Sequence, residues 1–269
     1  MRIASAPDGT IHIDGKVVTA LDHFVASVTE IIERYTRYVI VSGYVAILFG
    51  RARGTEDIDL FVDYMDRDTF MSFSEDLLEQ GFYFLNSDDI GEIYSMLCDR
   101  LAVRIAGAGR IIPNIEMTFK KDDFDRYAMS RAKRVQFDDI RFFVSPIELQ
   151  IPYKLYLGSD KDIEDASISG CCSGRRSIPI SCNRSWSAWR SGGSSMELRF
   201  DREKNRQERL AFVRRHALRV REVPNEVWSR EQADLIDAFF ENAENFALSR
   251  SEYLRMHRAR RGRPEPVHG

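Results

Sequence analysis

The stretch from Val39 to Val62, VIVSGYVAILFGRARGTEDIDLFV, constrains the fold more than any other part of the chain. An apolar β-branched run, Val39-Ile40-Val41, breaks at Ser42-Gly43, and a short apolar helical segment, Tyr44 to Phe49, follows at once. A polar loop carrying Arg51 and Arg53 then leads into Asp57-Ile58-Asp59-Leu60-Phe61-Val62. Successive side chains of a strand point to opposite faces, so Asp57 and Asp59 are expected on one face and Ile58 and Leu60 on the other. Two carboxylates ~7 Å apart along a strand and turned away from the core form a claw for a hard divalent cation such as Mg2+. The Ser42-Gly43 turn leaves backbone N–H groups at the positive end of a helix, where a phosphate can sit.

The length of 269 residues fits one large domain or two smaller ones, and 43% hydrophobic with 30% charged residues is the balance of a water-soluble globular chain. No apolar h-region follows Met1-Arg2 and no apolar run approaches membrane-spanning length, so a cytoplasmic protein without a membrane partner is expected. Cys98, Cys171, Cys172 and Cys182 lack both a disulfide framework and the paired spacing of zinc sites, and read as free thiols. The net charge of −3 hides an asymmetry. Residues 1–166 carry 19 basic and 29 acidic side chains, whereas residues 167–195 carry 4 arginines and no acid. An acidic half repels nucleic-acid backbones, so no large nucleic-acid footprint is expected there.

Along the chain, Thr10 to Val18 reads as a β-hairpin around Asp14-Gly15, and Asp22 as the cap of a helix reaching Arg34. Helices are expected at Asp66–Gln80, Asp89–Cys98 and Asp122–Ser130, with strands at Phe82–Leu85, Leu101–Ile105 and Asn114–Phe119 and a hairpin over Gln136–Val144. The strand Asn114–Phe119 carries one acid, Glu116, among apolar residues. Ser145-Pro146-Ile147-Glu148 has the form of a capping box opening a helix that contains Lys154. After Gly158 a second helix opens with Asp160, Lys161, Asp162 and Asp165. On composition alone, Glu116 also fits an edge-strand acid facing water, Lys154 a snorkelling lysine, and the acids a helix first turn.

Residues 167–195 are rich in Ser, with Gly, Arg and Trp, and have neither helical nor strand period. They read as an irregular junction, either a frame-shifted remnant or a linker. Residues 196–263 then form a three-helix module, with Ser229/Gln232 and Ser249/Glu252 as capping boxes, and 264–269 a tail.

The Val39–Val62 stretch resembles the signature of the DNA polymerase β-like nucleotidyltransferase superfamily: a Gly-Gly or Gly-Ser turn, a spacer, then Asp-x-Asp on a strand. S-G-Y-V-A-I followed by R-x-T-x-D-I-D-L-F-V is similar to the small prokaryotic branch that includes AbiEii-like toxins, and E-L-Q-I-P-Y-K-L-Y-L-G-S-D-K-D-I-E-D-A is similar to that branch's second block. The resemblance implies an α+β class with an α/β-type core, a mixed sheet flanked by helices, over residues 1–166, followed by the separate helical module. It implies transfer of a nucleoside monophosphate from an NTP to a hydroxyl, with two Mg2+ ions on Asp57 and Asp59 and a third catalytic carboxylate at Glu116. Ser42 and Gly43 would grip the phosphates, Arg53 and Lys154 would share their charge, Thr55 would shape the loop, and Lys161, Asp162 and Asp165 would support the set. Ser42 stands where the family usually has its first Gly, and Glu116 where Asp is more usual. The resemblance leaves the acceptor unidentified, a macromolecule such as an RNA end or a protein, or a small molecule, and a toxin–antitoxin pairing would supply an antitoxin partner. The alternative is an inactive nucleotide-binding or interaction module.

Overall fold

The computed structural model describes residues 1–172 and 202–261. Nine strands form one mixed sheet in the order β1-β2-β8-β9-β3-β4-β7-β6-β5. They are β1 (Arg2–Ser5), β2 (Ile11–Asp14), β3 (Tyr38–Ile40), β4 (Asp57–Val62), β5 (Phe82–Phe84), β6 (Val103–Gly107), β7 (Asn114–Phe119), β8 (Lys133–Phe137) and β9 (Ile140–Val144). At the centre, β4 runs antiparallel to β3 and parallel to β7, in a register that sets Asp57 beside Asn114 and Asp59 beside Glu116. The antiparallel neighbour β6 places Arg104 opposite Glu116.

Alternation along the central strands divides the apolar side chains between two layers. Ile40, Ile58, Leu60 and Val62 enter the larger core, packed under helices α1 (Ala20–Tyr35), α3 (Arg67–Glu79) and α4 (Ile90–Cys98). Val39, Val41 and Phe61 point the other way, into a smaller cluster with Phe124 and Met129 of α5 (Asp123–Ser130) and Leu149 of α6 (Ile147–Leu157). Helix α2 (Ser42–Leu48) connects β3 to the loop before β4, and α7 (Asp160–Cys172) packs on both α6 and α2. The sheet flanked by helices is the architecture expected from the sequence.

Several local expectations are corrected. The hairpin is β1–β2, not Thr10–Val18; Gly15, at φ 69°, ends β2 and the chain leaves the sheet. Thr19, not Asp22, is the N-cap of α1, with Asp22 at the third helical position closing the box. Asp22 is held there because it is fully buried and accepts from the Lys16 ammonium, the Thr19 hydroxyl and the Tyr44 hydroxyl (2.6 Å). The Ser145 box does not form: Pro146 takes the cap position without a side-chain bond, and the buried Ser145 hydroxyl has no partner among the described residues. The α7 helix does continue past residue 166, through Ile168 in the interior, to Cys172. The remainder of the expected junction, and the tail beyond residue 261, lie outside the described residues.

Among the described residues three helices follow: α8 (Arg202–Glu222), α9 (Asn225–Glu244) and α10 (Arg250–Arg261). Ser229 lies inside α9, because Pro224 already starts that helix one turn earlier. Ser249 and Glu252 do form their reciprocal box at the start of α10. The helices dock on the sheet domain. Phe212 and Leu235 pack on Leu85, Ala106, Ile111 and Ile112, Asn245 bonds both backbone groups of Val17, and Asn242 donates to the Arg53 carbonyl.

The Asp22 site yields a stability prediction. Replacing Asp22 by Ala strands the Lys16 ammonium and two hydroxyl donors in the interior, and breaking a buried ion pair from one side costs about 3–5 kcal/mol. Urea unfolding of the Asp22→Ala variant measures this, and a loss below about 1 kcal/mol would mean that water reaches Lys16.

Candidate active site

Strand β4 builds the site from its alternation. Ile58, Leu60 and Val62 are buried while Asp57, Asp59 and Phe61 are half-buried on the opposite face, so the two aspartates share one face as the sequence predicts. Register adds Glu116 to the same face, beside Asp59. Asp59 is pushed up to about 7 by burial first, then by the negative charges of Glu116 and Asp57; a hydrogen bond from the Ser42 hydroxyl and the charge of Lys154 oppose the shift. The Ser42-Gly43 bend therefore lies against the second aspartate, and the Val41 N–H also donates to the Asp59 carbonyl at 3.0 Å.

Ser42 sits at φ 62°, a left-handed conformation that a serine adopts at a cost and a glycine without one. Its backbone N–H is taken up by Gln150 Oε1 at 2.9 Å, which differs from the expectation of a free donor. The amide nitrogen of the same buried Gln150 has no partner among the described residues. Gly43 is small for a reason: a Cβ there would lie 3.0 Å from Nη2 of Arg53, so the guanidinium packs against the bend. Thr55 donates to the Asp57 backbone carbonyl at 2.8 Å and lies 3.2 Å from its carboxylate, which fixes the start of β4.

The cations reach this face on buried counterions. Asp165, 1% exposed at its side chain, accepts from Arg53 (2.8 Å), Lys154 (3.1 Å) and Arg51 (3.2 Å). Asp162 holds Lys154 from the other side at 2.9 Å. Lys161 belongs to the same field. Its pKa is lowered by desolvation first and then by Arg53 and Lys154, against the pull of Asp57 and Asp165. Arg53, Lys154 and Lys161 are thus gathered next to Asp57 and Asp59, with Asp162 and Asp165 as their anchors.

Glu116 is placed on the face but is not uncommitted. Arg104, almost fully buried, pairs with Glu116 Oε1 at 2.6 Å, and its guanidinium lies 4.2 Å above the Phe212 ring. Sequence reading missed Arg104. Its signal is a single cation in the apolar run Leu101–Ile105 next to a strand with a single acid. Gln150 was also missed, and nothing local marks it. Asp57 and Asp59 supply the hard oxygen donors that Mg2+ takes, and Asp59 is raised by burial and, after it, by the charges of Glu116 and Asp57. Among the described residues, no three His, Cys, Asp or Glu side chains converge as a ready-made metal cluster.

The raised Asp59 sets a pH dependence. Its folded value lies above the ordinary 3.8, so its contribution to stability is complete below that value and is lost as pH rises through about 7. In EDTA, Asp59→Asn should therefore melt above the wild type at pH 8, with the gap narrowing steadily towards pH 4. Thermal melts across that range check it, and parallel curves for the two proteins would show that Asp59 titrates normally.

A family model described as "Family of unknown function (DUF8150)" matches residues 193–266, the region of the C-terminal helices. No curated protein matches the chain. Among solved structures, the chain is similar to an antigenic nucleotidyltransferase-like protein from Paracoccidioides brasiliensis, at 16% identity and a TM-score of 0.39, over 55% of this chain and 74% of that one. Among the described residues, no helix is long and apolar enough to cross a membrane.

Proposed function

We propose that the chain is a Mg2+-dependent nucleotidyltransferase that moves a nucleoside monophosphate from an NTP to a hydroxyl of an acceptor. The observation that carries this reading is the placement of Asp57 and Asp59 on one strand face, with Glu116 in register beside Asp59 and a cluster of cations anchored nearby on Asp165. The acceptor oxygen forms a bond to the α-phosphorus, the bond to the α,β-bridging oxygen breaks, and pyrophosphate leaves. Mg2+ bound to Asp57 and Asp59 would supply charge neutralisation on the phosphates and lower the barrier to attack.

The chain's own residues do the positioning. Lys154 and Lys161 lie beside the carboxylates and balance phosphate charge, each kept in place by charges of opposite sign. Arg53 braces the Gly43 bend and completes the positive field, and Thr55 holds Asp57 to its strand. The Gly43 N–H would donate to a phosphate oxygen, while the Ser42 hydroxyl lowers the proton affinity of Asp59. Glu116, aimed by Arg104, takes the proton from the attacking hydroxyl. No nucleophilic Ser or Cys is needed, because phosphoryl transfer depends on alignment and charge neutralisation.

The acceptor in this reading is an RNA end or a protein hydroxyl, with the chain acting as the toxin of a toxin–antitoxin pair. The Arg104–Glu116 ion pair favours a second reading, a nucleotide-binding module whose third carboxylate is withdrawn from chemistry. The two separate in one assay: incubation with each α-labelled NTP, Mg2+, total RNA and total protein, followed by gel separation. The enzyme moves label to one macromolecular class; the module shows only an NTP-dependent rise in melting temperature. The variant carrying both Asp57→Asn and Asp59→Asn should lose label transfer by at least about 10³-fold and lose the Mg2+-dependent thermal shift, with an unchanged circular dichroism spectrum. Undiminished transfer in that variant would rule the mechanism out.

A further inference from the structure

Beside Asp57 lies an open cleft of about 450 Å3, and two different parts of the chain make its sides. The sheet domain contributes Thr55, Asp57 and Lys161, while α9 contributes Ile236, Phe239 and Phe240. The volume lies within the range of small-molecule sites, roughly 300–1,000 Å3. One side is charged and the other is hydrocarbon and aromatic, so a fitting ligand has an ionic end and a flat apolar end a few ångströms apart.

The apolar side is not simply a docking surface left uncovered. Leu235 of the same helix is the residue that packs on the domain, together with Phe212, and Asn242 secures the helix to the Arg53 carbonyl. Ile236, Phe239 and Phe240 line the cleft beside Leu235 and remain 56%, 42% and 64% exposed. The two phenyl rings stand edge-on to each other at 5.8 Å, and both line the cleft. Their helix is fixed at both ends of this segment, so the wall is set before a ligand arrives.

We propose that this wall of α9 seats the base of the donor nucleotide, so that the C-terminal helices form half of the nucleotide site. The inference rests on the nucleotidyltransferase reading, which places the triphosphate against Asp57, Lys154 and Lys161. From there the ribose and base extend along the cleft towards Phe240, the most exposed ring. Stacking on a phenyl face accepts any base, because every base has a π-face, so the wall confers affinity with little choice among the four nucleotides. Inorganic tripolyphosphate, with no base, makes no use of it.

That difference provides the test. Equilibrium binding to the full-length chain in Mg2+ is measured for ATP, CTP, inorganic tripolyphosphate and a short single-stranded RNA, in the wild type, Phe240→Ala and Phe240→Trp. Phe240 is exposed, so both variants are expected to fold as the wild type does, which circular dichroism verifies. The expected result is an affinity for ATP and CTP about tenfold lower in Phe240→Ala and restored in Phe240→Trp, with tripolyphosphate binding unchanged. Equal ATP affinity in all three proteins would overturn the base seat and leave the enzyme reading intact. Weakening of the RNA alone would overturn it too, by assigning the wall to the acceptor. A wild type that binds neither ATP nor tripolyphosphate would remove the seat and the nucleotidyltransferase reading together.

Discussion

Three carboxylates gathered on one face of two paired strands repel one another, and much of the surrounding architecture compensates for that repulsion. Asp57, Asp59 and Glu116 are brought onto one face of β4 and β7 by register that their own charges oppose. The apolar faces of the same strands hold them together. Ile58, Leu60, Ile115 and Met117 are buried in the core, and burying side chains of that size contributes about 1.5–3 kcal/mol each. The hydrophobic layer therefore keeps the acids adjacent, and part of the remaining strain appears as the high proton affinity of Asp59.

Cations answer this charge without collapsing onto it. Arg104 reaches Glu116 from β6, but Arg53 and Lys154 are tied to Asp165, and Lys154 to Asp162 as well. Asp165 thus links the loop before β4, the α6 helix and the α7 helix in one buried network. Such a network is stable only when each member keeps its partners, since a charge left unpaired in the interior is expensive. The arrangement keeps positive groups close to the acids yet separated from them, which is the spacing a polyanion with a bound cation can enter.

Much of this was legible in the sequence where the signal was local. The alternation of Asp57 to Val62 set the facing of the acids, and single caps such as Asp66, Asp89 and Asp122 marked helix starts that the structure retains. Local signals misled where two competed. Asp14-Gly15 promised a hairpin, but the strand before it pairs with Arg2–Ser5 instead; Ser145 promised a cap, but Pro146 fixes the entry of α6. Contacts made across the fold had no local signature. Gln150 on Ser42, Arg104 on Glu116 and Arg53 on Asp165 join residues 12 to 112 positions apart, and only the assembled fold, strand order for the second and helix packing for the others, reveals them. Likewise the apolar stripe of α9 could be read as a core face, although Phe239 and Phe240 line an open cleft.

The C-terminal helices grip the sheet domain largely by its main chain. Asn245 bonds the amide and carbonyl of Val17, Asn242 the carbonyl of Arg53, Arg215 that of Leu85, Arg219 that of Gly109, and the Ala247 amide that of Gly50. A peptide carbonyl is present whatever side chain its residue bears. Drift at positions 17, 85 and 109 therefore leaves these anchor points standing, whereas drift at Asn242, Asn245, Arg215 or Arg219 removes them. Where only main-chain groups are held, as at Val17, lineages of this chain can vary on the receiving side, whereas Leu85, packed under Phe212 and Leu235, and Gly50, where a Cβ would meet Ala247, are constrained by the size of their side chains as well.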